Sequence, residues 1–390
     1  ALTLPALARA ANENVTVYGA ANVSYDVINT GSTTGTGAAA GTSSSRLSSN
    51  SSRLGVKGSH ELGSDWSGLW QIESTVGTDT GASGGVETAT GESPRSTRLF
   101  DRNTYVGLSK ADKGKLLAGR HDTPYKLSTR RLDVFADGIA DNRSLMGTTI
   151  AGGVVKETFD GRLSNMIAYF SPSFGSFSGA IGYANLAESS INASQDRVSA
   201  LSMAGMYEQD ALYATFAYEG HTTTFIDTNR LSRTIAIKAF KLGLGYTASF
   251  YSVGFAYEKS RDDFGNISAA TTTNPCGNMS ISTNCSGHGT LYLSGKLSFT
   301  ADDAVKIAIG KAGQVGAASG STAALQFSMG YDHEIDKRTS AYFLYTSLKN
   351  DPQVNYGLSS AATSGDYSVN STGAGGAAPS AFSFGVKHSF

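Results

Sequence analysis

Asp133, Asp137 and Asp141 recur at every fourth position, a spacing that puts three carboxylates on one face if the segment makes helical turns. Upstream, Arg46, Arg53, Lys57, Arg98, Arg102 and Arg120 supply cations that could face them. Carboxylates set against guanidinium groups across a water-filled space create a transverse field, which orients dipolar solutes and weights the passage of ions. Arg130, Arg131 and Arg143 lie in the same segment, so the sign of such a field is open. The segment also carries Leu132, Val134, Phe135, Ile139, Leu145 and Met146, and so needs a surface to pack against. The competing reading is a solvated loop with unremarkable charges.

Other chemistry is poorly supplied. The six His are isolated, without H-x-H or HExxH spacing, so no metal site is expected. Gly81-Ala82-Ser83-Gly84-Gly85 matches G-x-S-x-G but sits in a low-complexity stretch, whereas that nucleophile motif requires a strand-turn-helix. No phosphate-binding or dinucleotide fingerprint occurs, no paired-carboxylate site stands out, and no cofactor is expected. With 31 basic and 32 acidic side chains the net charge is −1, which gives no bulk field to recruit nucleic acid. Cys276 and Cys285 lie in one long loop and, in an exported chain, are expected to form a disulfide; two free thiols or a metal pair are the alternatives.

The elements that must position the charges are strands. No run of about 18 apolar residues exists, which excludes a membrane helix and leaves a membrane β-barrel open. Sixteen alternating segments can be traced, at 14–28, 46–60, 66–76, 97–109, 115–120, 156–170, 176–184, 197–207, 212–221, 233–246, 250–260, 289–299, 305–310, 323–333, 339–349 and 381–390. Seven short polar turns alternate with eight long loops rich in Gly, Ser, Thr and Asn, at 29–45, 77–96, 121–155, 185–196, 222–232, 261–288, 311–322 and 350–380. That sorting belongs to an even-stranded meander with both termini on the short-turn side. All seven Pro fall outside the segments, as ladder hydrogen bonding requires.

Beside the short turns gather Trp66, Phe170, Phe174, Phe177, Tyr207, Tyr213, Tyr246, Phe250, Tyr251, Phe299, Tyr331 and Phe390, as an interfacial girdle would. In lipid every backbone group must pair, so such a sheet has to close, the last strand "AFSFGVKHSF" pairing with the first. The opening "ALTLPALARA" reads as the tail of a cleaved secretory signal, with residues 11–390 as one barrel domain; an ordinary apolar N-terminal segment is the alternative.

"VTVYG" from Val15, "SRLGVKGSHELG" from Ser52, "RNTYVGLS" from Arg102, "LAGRHDTPY" from Leu117 and the closing "FSFGVKHSF" together resemble the general diffusion porins of Gram-negative outer membranes. The resemblance implies an all-β fold: a sixteen-stranded antiparallel transmembrane β-barrel with short periplasmic turns and long extracellular loops. It implies a homotrimer set in outer-membrane lipid and lipopolysaccharide and passing ions and small hydrophilic solutes. A third long loop, here 121–155, would fold into the lumen as the constriction, and Phe390 would be the signal read by the barrel-assembly machinery. The 121–155 loop does not spell the short acidic-aromatic-Gly-Gly motif of many porins, and loops 261–288 and 350–380 are long enough for an extra role. An outer-membrane barrel enzyme, needing a Ser-His pair at one rim, and a β-rich surface adhesin are the alternatives.

Overall fold

The computed structural model describes residues 13–34, 38–79, 87–88, 91–92, 100–151, 154–186, 197–226, 232–262, 287–315, 321–358 and 375–390. Arg98, Cys276, Cys285, the N-terminal segment 1–10 and the Gly81–Gly85 stretch lie outside these residues.

The strands form one closed antiparallel barrel. They are β1 (Glu13–Asn29), β2 (in two pieces, Ser43–Ser49 and Arg53–Gly63), β3 (Trp66–Thr75), β4 (Thr104–Lys110), β5 (Gly114–Asp122), β6 (Arg162–Phe170), β7 (Phe177–Asn185) and β8 (Arg197–Gln209). The second half is β9 (Leu212–Ile226), β10 (Ser232–Thr247), β11 (Tyr251–Asp262), β12 (Gly289–Ser298), β13 (Asp303–Ala312), β14 (Ala324–Glu334), β15 (Thr339–Asn350) and β16 (Ser380–Ser389). Each pairs with its chain neighbour, and β16 pairs with β1 from Ala20↔Ser389 to Asn29↔Ser380. Reciprocal bonds between Gly19 and Phe390, of 3.0 and 3.1 Å, finish the seam, so no ladder edge is left unpaired at the closing strand.

Alternation sorts the faces as the composition demands. On β12, Leu291, Leu293 and Leu297 are exposed outward while Ser294 is buried inside. The outer surface is thus a band of large apolar side chains, the solvent a bilayer provides for, and the polar residues turn into the lumen.

Five expectations need correction. The second strand is not continuous. Residues 43–49 pair with β1 in one register (Val23↔Ser49) and residues 53–63 in another (Ala20↔Arg53), with one extra residue between. This bulge, with Ser51 at φ 55°, reverses the alternation. The fourth strand begins at Thr104, so Arg102 precedes it. The fifth strand is longer than the expected 115–120, running over 9 residues from Gly114 to Asp122. Residues 154–157 pair with 148–151 in a small hairpin and are not part of β6. Two members of the supposed girdle also turn inward: Tyr213, 5% exposed, and Phe170, which lies 5.4 Å from the His121 ring.

Candidate functional site: the lumen and its inward segment

Between β5 and β6 the chain enters the barrel. Thr123 accepts a hydrogen bond from Lys126 N, and Pro124 opens the first turn, so helix α1 (Pro124–Arg130) starts with a capping side chain and a residue that needs no donor. Tyr125 is fully buried: its N–H donates to Ser202 Oγ at 3.0 Å and its hydroxyl to Glu258 Oε2 at 2.8 Å. Gly147 N donates to the other oxygen of Glu258 at 2.8 Å. Lys241 Nζ holds Asp160, near the end of the segment, at 2.5 Å and lies 3.5 Å from Glu258. Buried charges survive only when paired, so this Lys-carboxylate cluster ties both ends of the segment to β10 and β11.

The apolar residues do the middle. Leu132 lies on a floor of Gly243, Gly245 and Gly254, where a Cβ on Gly254 would come within 2.8 Å of the Leu132 carbonyl oxygen. That oxygen accepts from Ser294 Oγ at 2.6 Å. Phe135 faces Gly330, with Lys306 Nζ 5.0 Å from its ring centroid, and Leu145 faces Gly310. Leu132, Phe135, Ile139, Leu145 and Met146 thereby join one buried cluster with inward residues of β11 to β15. The last long loop joins it too: Val354, Tyr356 and Leu358 are buried, and the Tyr356 hydroxyl meets His288 Nε2 at 3.0 Å.

The three carboxylates converge, but not through a helix. Residues past Arg131 run in turns until a short 3₁₀ helix at Asn142–Ser144, with Asp137 itself at φ 65°. They gather instead around one guanidinium. Arg130 Nη2 lies 2.6 Å from Asp137 Oδ1, and Arg130 Nη1 lies 2.7 Å from Asp141 Oδ2 and 3.8 Å from Asp133 Oδ2. Asp141 is fully buried and also accepts from Arg143 N and Asp137 N. Asp133 faces the wall, taking the Tyr292 hydroxyl at 2.6 Å and Asn142 N at 2.9 Å.

Their proton affinities diverge accordingly. Burial opposes ionisation of Asp137 and Asp141, but Arg130 outweighs it and holds both carboxyls below the usual range. Burial and the neighbouring Asp141 charge prevail at Asp133, which is pushed up to about 6.

Across the lumen, Arg53 Nη1 reaches Asp137 Oδ2 at 3.7 Å. Lys57 lies over the Tyr18 ring, 5.2 Å from its centroid. Arg46 is registered opposite Asp26, whose carboxylate accepts from Ser24 and Ser48. Arg102 is neutralised by Glu73, Nε to Oε1 2.6 Å, and Arg120 donates to Asp101 O at 2.6 Å and Ser164 Oγ at 2.8 Å. Sequence reasoning missed Glu73, Arg162 and Lys126. Arg162 and Lys126 bracket Asp122 at 3.1 and 2.8 Å. The alternation of Gln71 and Glu73 on β3 was the one signal that could have found Glu73.

Residues 1–353 match the family model described as Gram-negative porin. An outer membrane porin protein of Bordetella pertussis is 24% identical over 332 residues, 77% of each chain. The major outer membrane protein P.IB of Neisseria gonorrhoeae is 28% identical over 187 residues, 47% of each. Among solved structures, the anion-selective porin from Comamonas acidovorans superposes with TM-score 0.69 at 19% identity, over 97% of this chain and 100% of that one. The trimer form of OmpT of Vibrio cholerae gives TM-score 0.61 at 12% identity, over 97% and 100%.

Proposed function

We propose, from the premise that this chain belongs to the Gram-negative porin family, that its selectivity is set where the 121–155 loop faces β2 to β5. The protein is an outer-membrane channel through which small solutes diffuse passively. The single observation carrying the proposal is the Arg53–Asp137 approach of 3.7 Å, the place where a loop stitched to one wall meets the other.

The balance of charge at that level favours anions. Arg46, Arg53, Lys57, Arg102, Arg120 and Arg162 line the wall against Asp26, Glu73 and Asp122, while on the loop Arg130 and Arg143 consume Asp137 and Asp141. Fixed cations in excess raise the local anion concentration and lower the barrier to anion passage. The Comamonas porin, which shares this fold, is described as anion-selective, in keeping with the reading. Reversal potential across a planar bilayer under a salt gradient tests it: a potential of the sign for cation preference overturns it.

We also propose a homotrimer, since the Vibrio OmpT fold is known in trimer form, and the outward faces of β1, β2 and β16 offer the apolar Val15, Val17, Leu54, Phe384 and Val386 for contact. Residues 11–390 would be the mature chain, Phe390 its assembly signal, and Cys276–Cys285 a loop disulfide.

A further inference from the structure

Where the inward segment passes the short-turn ends of β8 to β11, the lumen wall holds a recess of about 80 Å³. Leu212 and Val253 point outward, 45 and 48% exposed, so Tyr213 and Ser252 beside them in sequence turn inward and line it. Arg131 lies over the Tyr213 ring, 4.3 Å from its centroid, and gives Nη1 and Nη2 to Glu208 Oε2 and Oε1 at 2.8 and 3.0 Å. Asp210, in the β8–β9 turn at φ 52°, borders the recess. Thr247 and Ser252, registered opposite each other where β10 meets β11, add hydroxyls, and Leu132 and Val134 of the inward segment supply the apolar side.

The recess thus presents one guanidinium and two carboxylates. Arg131 and Glu208 keep 48 and 59% of their side chains exposed, so their ion pair holds weakly and can share its partners with a bound molecule. Arg131 commits two of its five N–H donors to Glu208, which leaves donors for a further carboxylate. Asp210 makes no side-chain hydrogen bond or ion pair among the described residues, so its charge is available to a cation. A molecule that carries both a carboxylate and an ammonium meets these needs together, whereas an anion alone would face Glu208 and Asp210, and a cation alone would face Arg131. At roughly 10–15 Å³ for each water-sized group, the volume holds about five to eight of them, the size of a two- or three-carbon amino acid.

We propose that this recess binds a short neutral α-amino acid. Its carboxylate lies on Arg131 and the Thr247 and Ser252 hydroxyls, its ammonium on Asp210 and Glu208, and its small side chain against Leu132 and Val134. The recess shares no lining residue with the Arg53–Asp137 approach, so it adds to an anion-favouring constriction a separate resting place for solutes of zero net charge. The proposal rests on the channel reading only for its supply of solute.

The test uses the detergent-solubilised full chain, where binding needs no passage, so a failure of the channel reading leaves it untouched. Dissociation constants are measured by saturation-transfer NMR for L-alanine, for propionate, which lacks the amine, and for ethylamine, which lacks the carboxylate. The proteins are the native chain, D210N, E208Q and a control, D302N, in the short turn between β12 and β13. Asn tolerates the left-handed backbone of position 210, and mobility on an unheated detergent gel reports a folded barrel. L-Alanine should bind the native chain and D302N at least about tenfold more tightly than either half-ligand, the advantage of one further charge-assisted hydrogen bond. D210N and E208Q should each lose about that factor for alanine, while propionate binds them no more weakly than it binds the native chain. E208Q, at the more exposed position, decides alone if D210N does not fold. Equal affinity for alanine and ethylamine would make the recess a cation site only, and equal affinity for alanine and propionate an anion site only; either overturns the proposal. Undiminished alanine binding in a folded E208Q, or no measurable binding by the native chain, would overturn it as well.

Discussion

Arg53 and Asp137, 84 positions apart, meet at 3.7 Å between Nη1 and Oδ2, and they join the inward segment to the wall opposite its anchor. Both side chains keep about a quarter of their surface exposed, at 27 and 26%, so their charges act on passing solutes as well as on each other.

Asp137→Asn removes the most accessible of the three acidic charges, with Asp133 and Asp141 at 0% side-chain exposure. Anion over cation permeability should rise roughly twofold, and Arg53→Gln should move it the other way, as expected for one charge in a focusing lumen. Reversal potentials of the two variants measure this. Shifts of the same sign would detach the pair from selectivity.

Deleting 132–146 should raise single-channel conductance if the barrel still assembles. Gly254→Val is the milder probe, because its Cβ would fall 2.8 Å from both Leu132 O and Ser294 Oγ. Such overpacking costs about 1–3 kcal/mol and should loosen the segment without altering the strand ladder. Conductance noise and proteolysis of the loop would report it. An unaltered conductance in a properly assembled deletion would place the constriction elsewhere.

Acidification acts through Asp133. Its carboxyl rises from 3.8 to about 6 in the folded chain, first through burial and then through Asp141. The folded state therefore binds the proton more tightly than the unfolded one. The Asp133 contribution to stability improves as pH falls from about 6 toward 4, while those of Asp137 and Asp141, held low, are lost only on further acidification. Anion preference should accordingly strengthen with a midpoint near pH 6, and Asp133→Asn should lack that step. A titration unchanged in this variant would assign the step to another group.

If the chain is trimeric, unheated protein should run on a detergent gel as a large species that boiling converts to one near 40.5 kDa. Mobility indifferent to boiling, with recovery in the soluble fraction, would contradict the proposed assembly.

Intact mass after alkylation without reductant should show no added groups if Cys276 and Cys285 are joined. Two alkyl groups would mean free thiols.

Period-two alternation determined the strands and their lipid faces, because lipid admits no polar outward side chain at mid-depth and no unpaired backbone, and each residue reports that constraint independently. The same constraint brought Phe390 to Gly19 and closed the barrel. The apolar content of 132–146 likewise announced a packed loop. Tertiary structure alone decided which charges meet. The extra residue at 50–52 puts Arg46 and Arg53 on the same face although their odd separation of seven assigns opposite ones, and a single insertion leaves no trace in an averaged period. Arg102 spends its charge on Glu73, 29 residues away, and Asp133 turns to Tyr292 on the wall that anchors the loop. Such pairings depend on where the closed barrel places side chains remote in sequence, and no local pattern encodes that distance.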